Sequence, residues 1–145
     1  MGVAWEHIEE VEMLRSARAQ TALPAQDLDR AKAFYRDKLG LQPVEADAEN
    51  VRYRVGDGTE FNVFRTFGAP SGTHTQMAFI VEDLAGEVKD LKSRGVTFEE
   101  YDFPGLKTND GIAVSADGKA AWFKDSEGNL LNIVQLARVP AGRTA

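Results

Sequence analysis

The chain contains no cysteine, and that single absence removes disulfides, thiolate metal sites and cysteine nucleophiles together. Long apolar runs are also missing, and no stretch approaches the length of a membrane span. The opening MGVAWEHIEEVEMLRSARAQ has neither the positive start nor the apolar centre of a secretory signal, so the expected location is the cytoplasm. Positive charge is in deficit. A net charge of -6, with 17 Lys and Arg scattered rather than gathered into a stripe, argues against a nucleic-acid-binding surface.

What is present describes a soluble globular protein: 145 residues, 43% hydrophobic and 28% charged, enough to bury the core of a single domain. The expected division is an N-terminal helical extension over 1–17, one domain over 18–137, and a flexible tail, RVPAGRTA, over 138–145. The extension carries Trp5, Ile8, Val11 and Leu14 as a helical stripe with glutamates mostly outside it. Such a helix would suit an interaction surface, on its own sheet or on a partner.

Within the domain the sequence repeats itself. QTALPAQDLDRAKAFYRDKLGL and QMAFIVEDLAGEVKDLKSRGV follow one plan: Gln, then Asp-Leu seven residues on (Gln20 to Asp27, Gln76 to Asp83), then a helical pattern closed by Gly40 or Gly95. The first helix should bury Leu28, Ala31, Tyr35 and Leu39, the second Leu84, Val88 and Leu91. Asp27 and Asp83 suit N-caps, where a carboxylate accepts from unpaired amides. Gly40 and Gly95 suit the left-handed position after a helix. Strand signals follow each helix. In the first half Val51, Tyr53 and Val55 alternate with Arg52 and Arg54, GDG makes a turn and EFNVFR resumes; in the second half KAAWFKD, a turn at SEGN and LLNIVQL answer. The halves span 18–67 and 74–137.

One residue in each last strand is out of place by composition. Asn62 and Asn132 each stand four residues after a turn glycine, although asparagine disfavours strand interiors and a buried amide without a partner is costly. Each half therefore contributes a Gln at the start of its first strand and an Asn inside its last: Gln20 and Asn62, Gln76 and Asn132. Alternation places Asn62 with Glu60 and Phe64, Asn132 with Leu130, Val134 and Leu136, and Gln76 with His74, Ala78 and Ile80. The opposite faces carry Phe61, Val63, Leu131, Ile133, Met77 and Phe79. Both faces are apolar, so the helices should cover one and leave the amide-bearing face for a curved second half, a partner chain or a ligand.

QDLDRAKAFYRDKLGL, its echo EDLAGEVKDLKSRGV and the closing AWFKDSEGNLLNIVQ together resemble the vicinal oxygen chelate superfamily, also called the glyoxalase, bleomycin resistance protein and dioxygenase family. The resemblance covers about Arg18 to Leu136 and implies an α+β fold of two tandem βαβββ modules, their cup-shaped mixed sheet carrying helices on its outer face. Its metal enzymes hold the ion at the start of the first strand and in the last strand of each module, positions that fall here on Gln20, Asn62, Gln76 and Asn132. Four neutral amides poorly repay the dehydration of Zn²⁺, Ni²⁺ or Fe²⁺, which take imidazole, thiolate or carboxylate. The expectation is therefore a cup without metal or other cofactor. A shifted site using Glu60 and His74 is the alternative.

Two function classes follow. The first is a metal-independent small-molecule-binding protein that sequesters an antibiotic or other organic ligand in the cup, with the four amides as hydrogen-bonding groups and Phe64 and Trp122 as contact area. The segment EEYDFPGLKTNDGIA, with Tyr101 and Phe103, would form a wall or lid over that cup, or a plain surface connection. The second class is a metal-dependent lyase, isomerase or dioxygenase-like enzyme, which would need an electrophile and a general base that amides do not supply. The resemblance also implies a homodimer.

Overall fold

A computed structural model describes residues 13–137. The stripe residues Trp5, Ile8 and Val11 and the tail from 138 onward lie outside the described residues. Of the proposed stripe only Leu14 is described, exposed in a short 3₁₀ turn, Met13–Ser16.

The first module runs β1 (Thr21–Ala25), α1 (Leu28–Asp37), β2 (Glu45–Ala46), β3 (Asn50–Arg54) and β4 (Glu60–Arg65). Its sheet has the order β1-β4-β3-β2, with β1 parallel to β4 and the remaining pairs antiparallel. The second module runs β5 (Thr75–Ile80), α2 (Leu84–Ser93), β6 (Asp102–Phe103), β7 (Leu106–Asn109), β8 (Ile112–Ser115), β9 (Gly118–Lys124) and β10 (Leu130–Leu136). Its sheet has the order β5-β10-β9-β8-β7-β6. The fold is thus α+β, two sheets with two helices, and the duplication read in the sequence reappears as β1 beside β4 and β5 beside β10.

The local signals act as their chemistry dictates. Asp27 accepts from the Arg30 amide at 3.0 Å and Asp83 from the Gly86 amide at 3.1 Å, each meeting one of the donors that a helix start leaves unpaired. Gly40 and Gly95 take φ of 71° and 93°, a region that costs a side-chain-bearing residue free energy. Leu39 falls just past the end of α1 and is half-buried against the core.

Both helices lie on the same side of their sheets as the buried alternate residues. Leu23, Val51, Tyr53, Phe61 and Val63 join Leu28, Ala31 and Tyr35 in module one; Ala121, Phe123, Leu131 and Ile133 join Leu84, Val88 and Leu91 in module two. The core is continuous across the halves, with Phe61 and Phe79 ring centroids 5.9 Å apart in an edge-to-face contact.

A polar staple also joins the modules. The β9–β10 turn, DSEGN in sequence, is buried although it carries two carboxylates. Tyr35 on α1 donates to Asp125 Oδ2 at 2.7 Å, and Asn129 Nδ2 donates to the same oxygen at 2.8 Å and to the Pro24 carbonyl at 3.0 Å. Asp125 Oδ1 accepts from the Glu127 and Asn129 amides, each at 2.9 Å. Glu127 accepts from the Asp27 amide at 3.0 Å and from Arg30 Nε at 2.7 Å. Burial, then the charge and hydrogen bond of Asp125, push the Tyr35 phenol well above its ordinary range.

The second module differs from the first after its helix. The segment read as a wall, lid or connection folds as the β6–β7 hairpin, and β7 pairs with β8, so the segment lengthens the sheet at its edge.

Candidate functional site

Asn62 and Asn132 sit on the helix-free faces of their sheets, Gln20 lies just ahead of β1, and the amides form two groups rather than one ring. In module two Asn132 lies in register with Ala78 on β5 and with Trp122 on β9. Leu130 pairs with Thr75 and Leu131 with Met77, which leaves Gln76 as the extra residue of a β-bulge. Bulges re-aim a side chain and break local pairing. The result is chemical. Gln76 Oε1 and Asn132 Oδ1 are both buried and have no hydrogen-bond partner among the described residues.

Three of the four aromatic residues expected at the site, Trp122, Tyr101 and Phe103, form one cluster beside this pair, and Phe64 is not among them. Trp122 is directly across from Asn132, and its indole Nε1 donates to Thr75 Oγ1 at 3.0 Å, which fixes the ring plane. Tyr101 meets Trp122 edge-on with centroids 5.5 Å apart, and Phe103 meets Tyr101 at 5.8 Å. Burial, and secondarily Glu99, raise the Tyr101 pKa, so the phenol stays protonated near neutrality. A groove of about 240 Å³ opens beside Trp122, lined among others by Leu106, Ala113, Ala120 and Val134. Ile80, Phe103 and Leu136 are exposed. The groove has the surface for a planar, largely apolar group, and Gln76 and Asn132 lie behind its Trp122 wall rather than in its lining.

Module one arranges its amide differently. Asn62 lies across from Ala22 on β1 and Arg52 on β3, and its Nδ2 donates to Asn50 Oδ1 at 2.6 Å. Phe64 is half-buried in register with Pro24 and Asn50. Gln20 is exposed just ahead of β1. No hydrogen bond or ring contact joins Gln20, Asn62 or Phe64 to Gln76, Asn132, Trp122, Tyr101 or Phe103 among the described residues.

Glu60 is not an open ligand. Its Oε2 accepts from Arg52 Nη1 at 3.0 Å and Arg54 Nε at 2.9 Å, and Arg18 Nη2 stands 3.7 Å from Oε1. The Arg54 hydrogen bond, helped by Arg52, holds its carboxyl below the usual range against the opposing effect of burial. His74 is exposed, its Nδ1 3.1 Å from Ser71 Oγ. The family's metal does not fit this donor set: Gln20, Asn62, Gln76 and Asn132 are neutral amides, the Glu60 carboxylate is taken by guanidiniums, and no group of three or more His, Cys, Asp or Glu among the described residues could hold an ion.

Sequence reasoning missed Asn50, Arg52 and Arg54 as neighbours of the first amide, and Thr75 as the holder of Trp122. The alternation Val51, Arg52, Tyr53, Arg54 carried the signal for the arginines, since it puts both on the face of Glu60 and Asn62 across the GDG turn. The bulge at Gln76 left no signal.

The sequence profile described as the Glyoxalase/Bleomycin resistance protein/Dioxygenase superfamily matches residues 17–133. The chain is similar in structure to a bleomycin resistance determinant encoded on the transposon Tn5, at 25% identity and a TM-score of 0.62, covering 85% of this chain and 100% of that one. It is also similar to a bleomycin-binding protein complexed with bleomycin, at 25% identity and a TM-score of 0.64, covering 83% and 98%. A third similar structure is TnmS3, an antibiotic-binding protein from Streptomyces sp., at 19% identity and a TM-score of 0.59, covering 84% and 97%. No curated protein sequence matches at a significant level. Among the described residues no helix is long and apolar enough to cross a membrane.

Proposed function

The chain belongs to the Glyoxalase/Bleomycin resistance protein/Dioxygenase superfamily, and from that premise we propose that it is a metal-independent small-molecule-binding protein, sequestering an antibiotic or other organic ligand. The observation that carries the reading is the pair of buried, unpartnered acceptors, Gln76 Oε1 and Asn132 Oδ1, on β5 and on β10, the strand next to the one that bears Trp122. Leaving a buried acceptor unsatisfied costs about 1–3 kcal/mol; of the three such acceptors among the described residues, Asn129 Oδ1 lies in the buried turn, while Gln76 and Asn132 share the adjacent strands β5 and β10, where an outside donor would remove the cost. A ligand that brings N–H or O–H groups to these oxygens and lays a planar portion against Trp122 and Tyr101 removes that cost on binding. Two similar structures concern bleomycin, one as a resistance determinant and one as a complex, which makes bleomycin the first compound to try. The same reading places the protein in the cytoplasm as a homodimer, with the exposed Ile80 and Leu136 among the apolar surface a second copy would cover.

The test is a thermal-shift and calorimetric screen of bleomycin and other planar antibiotics, with Asn132→Leu and Gln76→Leu beside the native chain. Each substitution should raise the stability of the free protein and abolish the ligand-induced shift. Unchanged ligand shifts in both variants would refute the site. Stoichiometric zinc, nickel, iron or manganese in protein purified without chelators would refute the metal-independent reading.

A further inference from the structure

The open face of the first sheet carries a cluster that the second sheet lacks. Three arginines from separate places converge on one carboxylate: Arg18 ahead of β1, and Arg52 and Arg54 from alternate positions of β3. The Glu60 side chain is 8% exposed, whereas those of Arg52, Arg54 and Arg18 are 28%, 53% and 79% exposed. The carboxylate is the buried anchor and the guanidiniums form the outer layer.

Charge and donors are both in excess there. Glu60 and the exposed Glu45, 3.7 Å from Arg52, supply two negative charges against three positive ones, a surplus of one positive charge in a chain whose total is -6. Each guanidinium has five N–H donors, while an ionised carboxylate accepts at about four lone-pair sites. Arg52 and Arg54 spend one donor each on the same oxygen, Glu60 Oε2, at 3.0 and 2.9 Å. Two like charges held that close repel, and one shared carboxylate offsets this only in part. The neighbouring Asn62–Asn50 pair uses one of its amide hydrogens internally and brings further N–H groups to the same face. Module two leaves two amide oxygens unpaired; this corner has more guanidinium donors than Glu60 accepts from.

We propose that Arg18, Arg52 and Arg54, ordered by Glu60, form an oxyanion subsite that takes a carboxylate, phosphate or sulfate group of the ligand. Glu60 holds Arg52 and Arg54 by hydrogen bonds before binding, so little of their side-chain entropy remains to be lost when the anion arrives. Guanidinium geometry suits planar and tetrahedral oxyanions alike, through paired N–H···O bonds. The inference deepens the binding reading and rests on it for its biological meaning: it directs the ligand search beyond cationic compounds such as bleomycin to ones that carry an anionic group.

The experiment titrates inorganic phosphate, sulfate and acetate separately into the full chain at constant ionic strength, following the Nε–H resonances of Arg52 and Arg54 by NMR. Saturable shifts are expected, weakened about tenfold in Arg54→Gln and several-fold in Arg18→Gln, whose side chain is largely exposed and spares the fold. Arg36→Gln, a guanidinium already paired with Asp37 on α1, should titrate like the native chain. Tighter saturation by acetate identifies a carboxylate source, tighter saturation by phosphate or sulfate a tetrahedral one. A linear response to all three anions, or saturation unaltered in both Arg54→Gln and Arg18→Gln, overturns the subsite. Anion binding is read without any organic ligand, so loss of the Gln76–Asn132 site leaves this result standing. Organic-ligand binding that persists without anion binding removes the subsite alone.

Discussion

The two modules share a plan and differ in what they leave exposed. In module one the helix-free face is polar and internally paired: Asn62 on Asn50, Glu60 on Arg52 and Arg54. In module two the corresponding face is aromatic and aliphatic, with its two amide oxygens unpaired. Equivalent positions after duplication thus follow opposite physics. One asparagine supports its own sheet, and the other costs its sheet stability. The difference teaches that an asparagine inside the last strand of a module is not one kind of feature, and that its neighbours across the strand decide what it does.

The largest expected effect comes from cutting the link that makes the comparison possible at all. Asp125→Ala removes the acceptor of the buried Tyr35 phenol and of the Glu127 and Asn129 backbone amides, leaving Asn129 Nδ2 only the Pro24 carbonyl, so unfolding in urea should show a loss of about 3 kcal/mol or more. The sharpest contrast comes from paired substitutions. Asn132→Leu should stabilise the free protein by about 1 kcal/mol, because it deletes an unsatisfied acceptor, whereas Asn62→Leu should destabilise it by about 1 kcal/mol, because Asn50 loses its donor. Equal signs in the two denaturation curves would erase the distinction between modules.

Acid should reach both modules through different carboxylates. Burial alone would raise the Glu127 carboxyl, but hydrogen bonds from Arg30, the Asp27 amide and Ser126 outweigh it and hold the group below its ordinary value of 4.5. Glu60 is held low by Arg54 and Arg52. A depressed folded-state value contributes stability that is fully present above the unfolded value and lost as pH falls through the folded one. The urea midpoint should therefore decline below about pH 4.5, and Glu127→Gln should flatten that decline more than Glu60→Gln, since the Glu127 side chain is 0% exposed and that of Glu60 is 8%. Smallest of all is Phe103→Ala. The ring is exposed, so stability should change by less than about 0.5 kcal/mol, while loss of its contact with Tyr101 should weaken any ligand seated on Trp122, as calorimetry would read.

Much of the fold was legible because its signals are local. Asp27 and Asp83 cap, Gly40 and Gly95 turn left-handed, and the alternation in EFNVFR and LLNIVQL sorts each residue to a face; none of these depends on distant chain. The asparagines' side of the sheet followed from the same alternation. What escaped depends on register or on tertiary packing. The bulge that frees Gln76 exists only through the pairing of β5 with β10. The β6–β7 hairpin lies in a segment whose Pro and Gly read as turns, without periodicity to reveal the two short strands. SEGN reads as a solvated turn, and it is buried because α1 and the end of β1, about a hundred residues earlier, close over it.

That buried turn limits how such a chain can be reshuffled. A half excised by itself would expose either the Tyr35 hydroxyl and Arg30 or the Asp125 and Glu127 carboxylates that now meet them, so the repeat unit of the sequence is not the unit of autonomy. Chimeras that exchange halves between relatives should survive only when α1 and the DSEGN turn travel as a matched pair, a key carried by one repeat and a lock carried by the other.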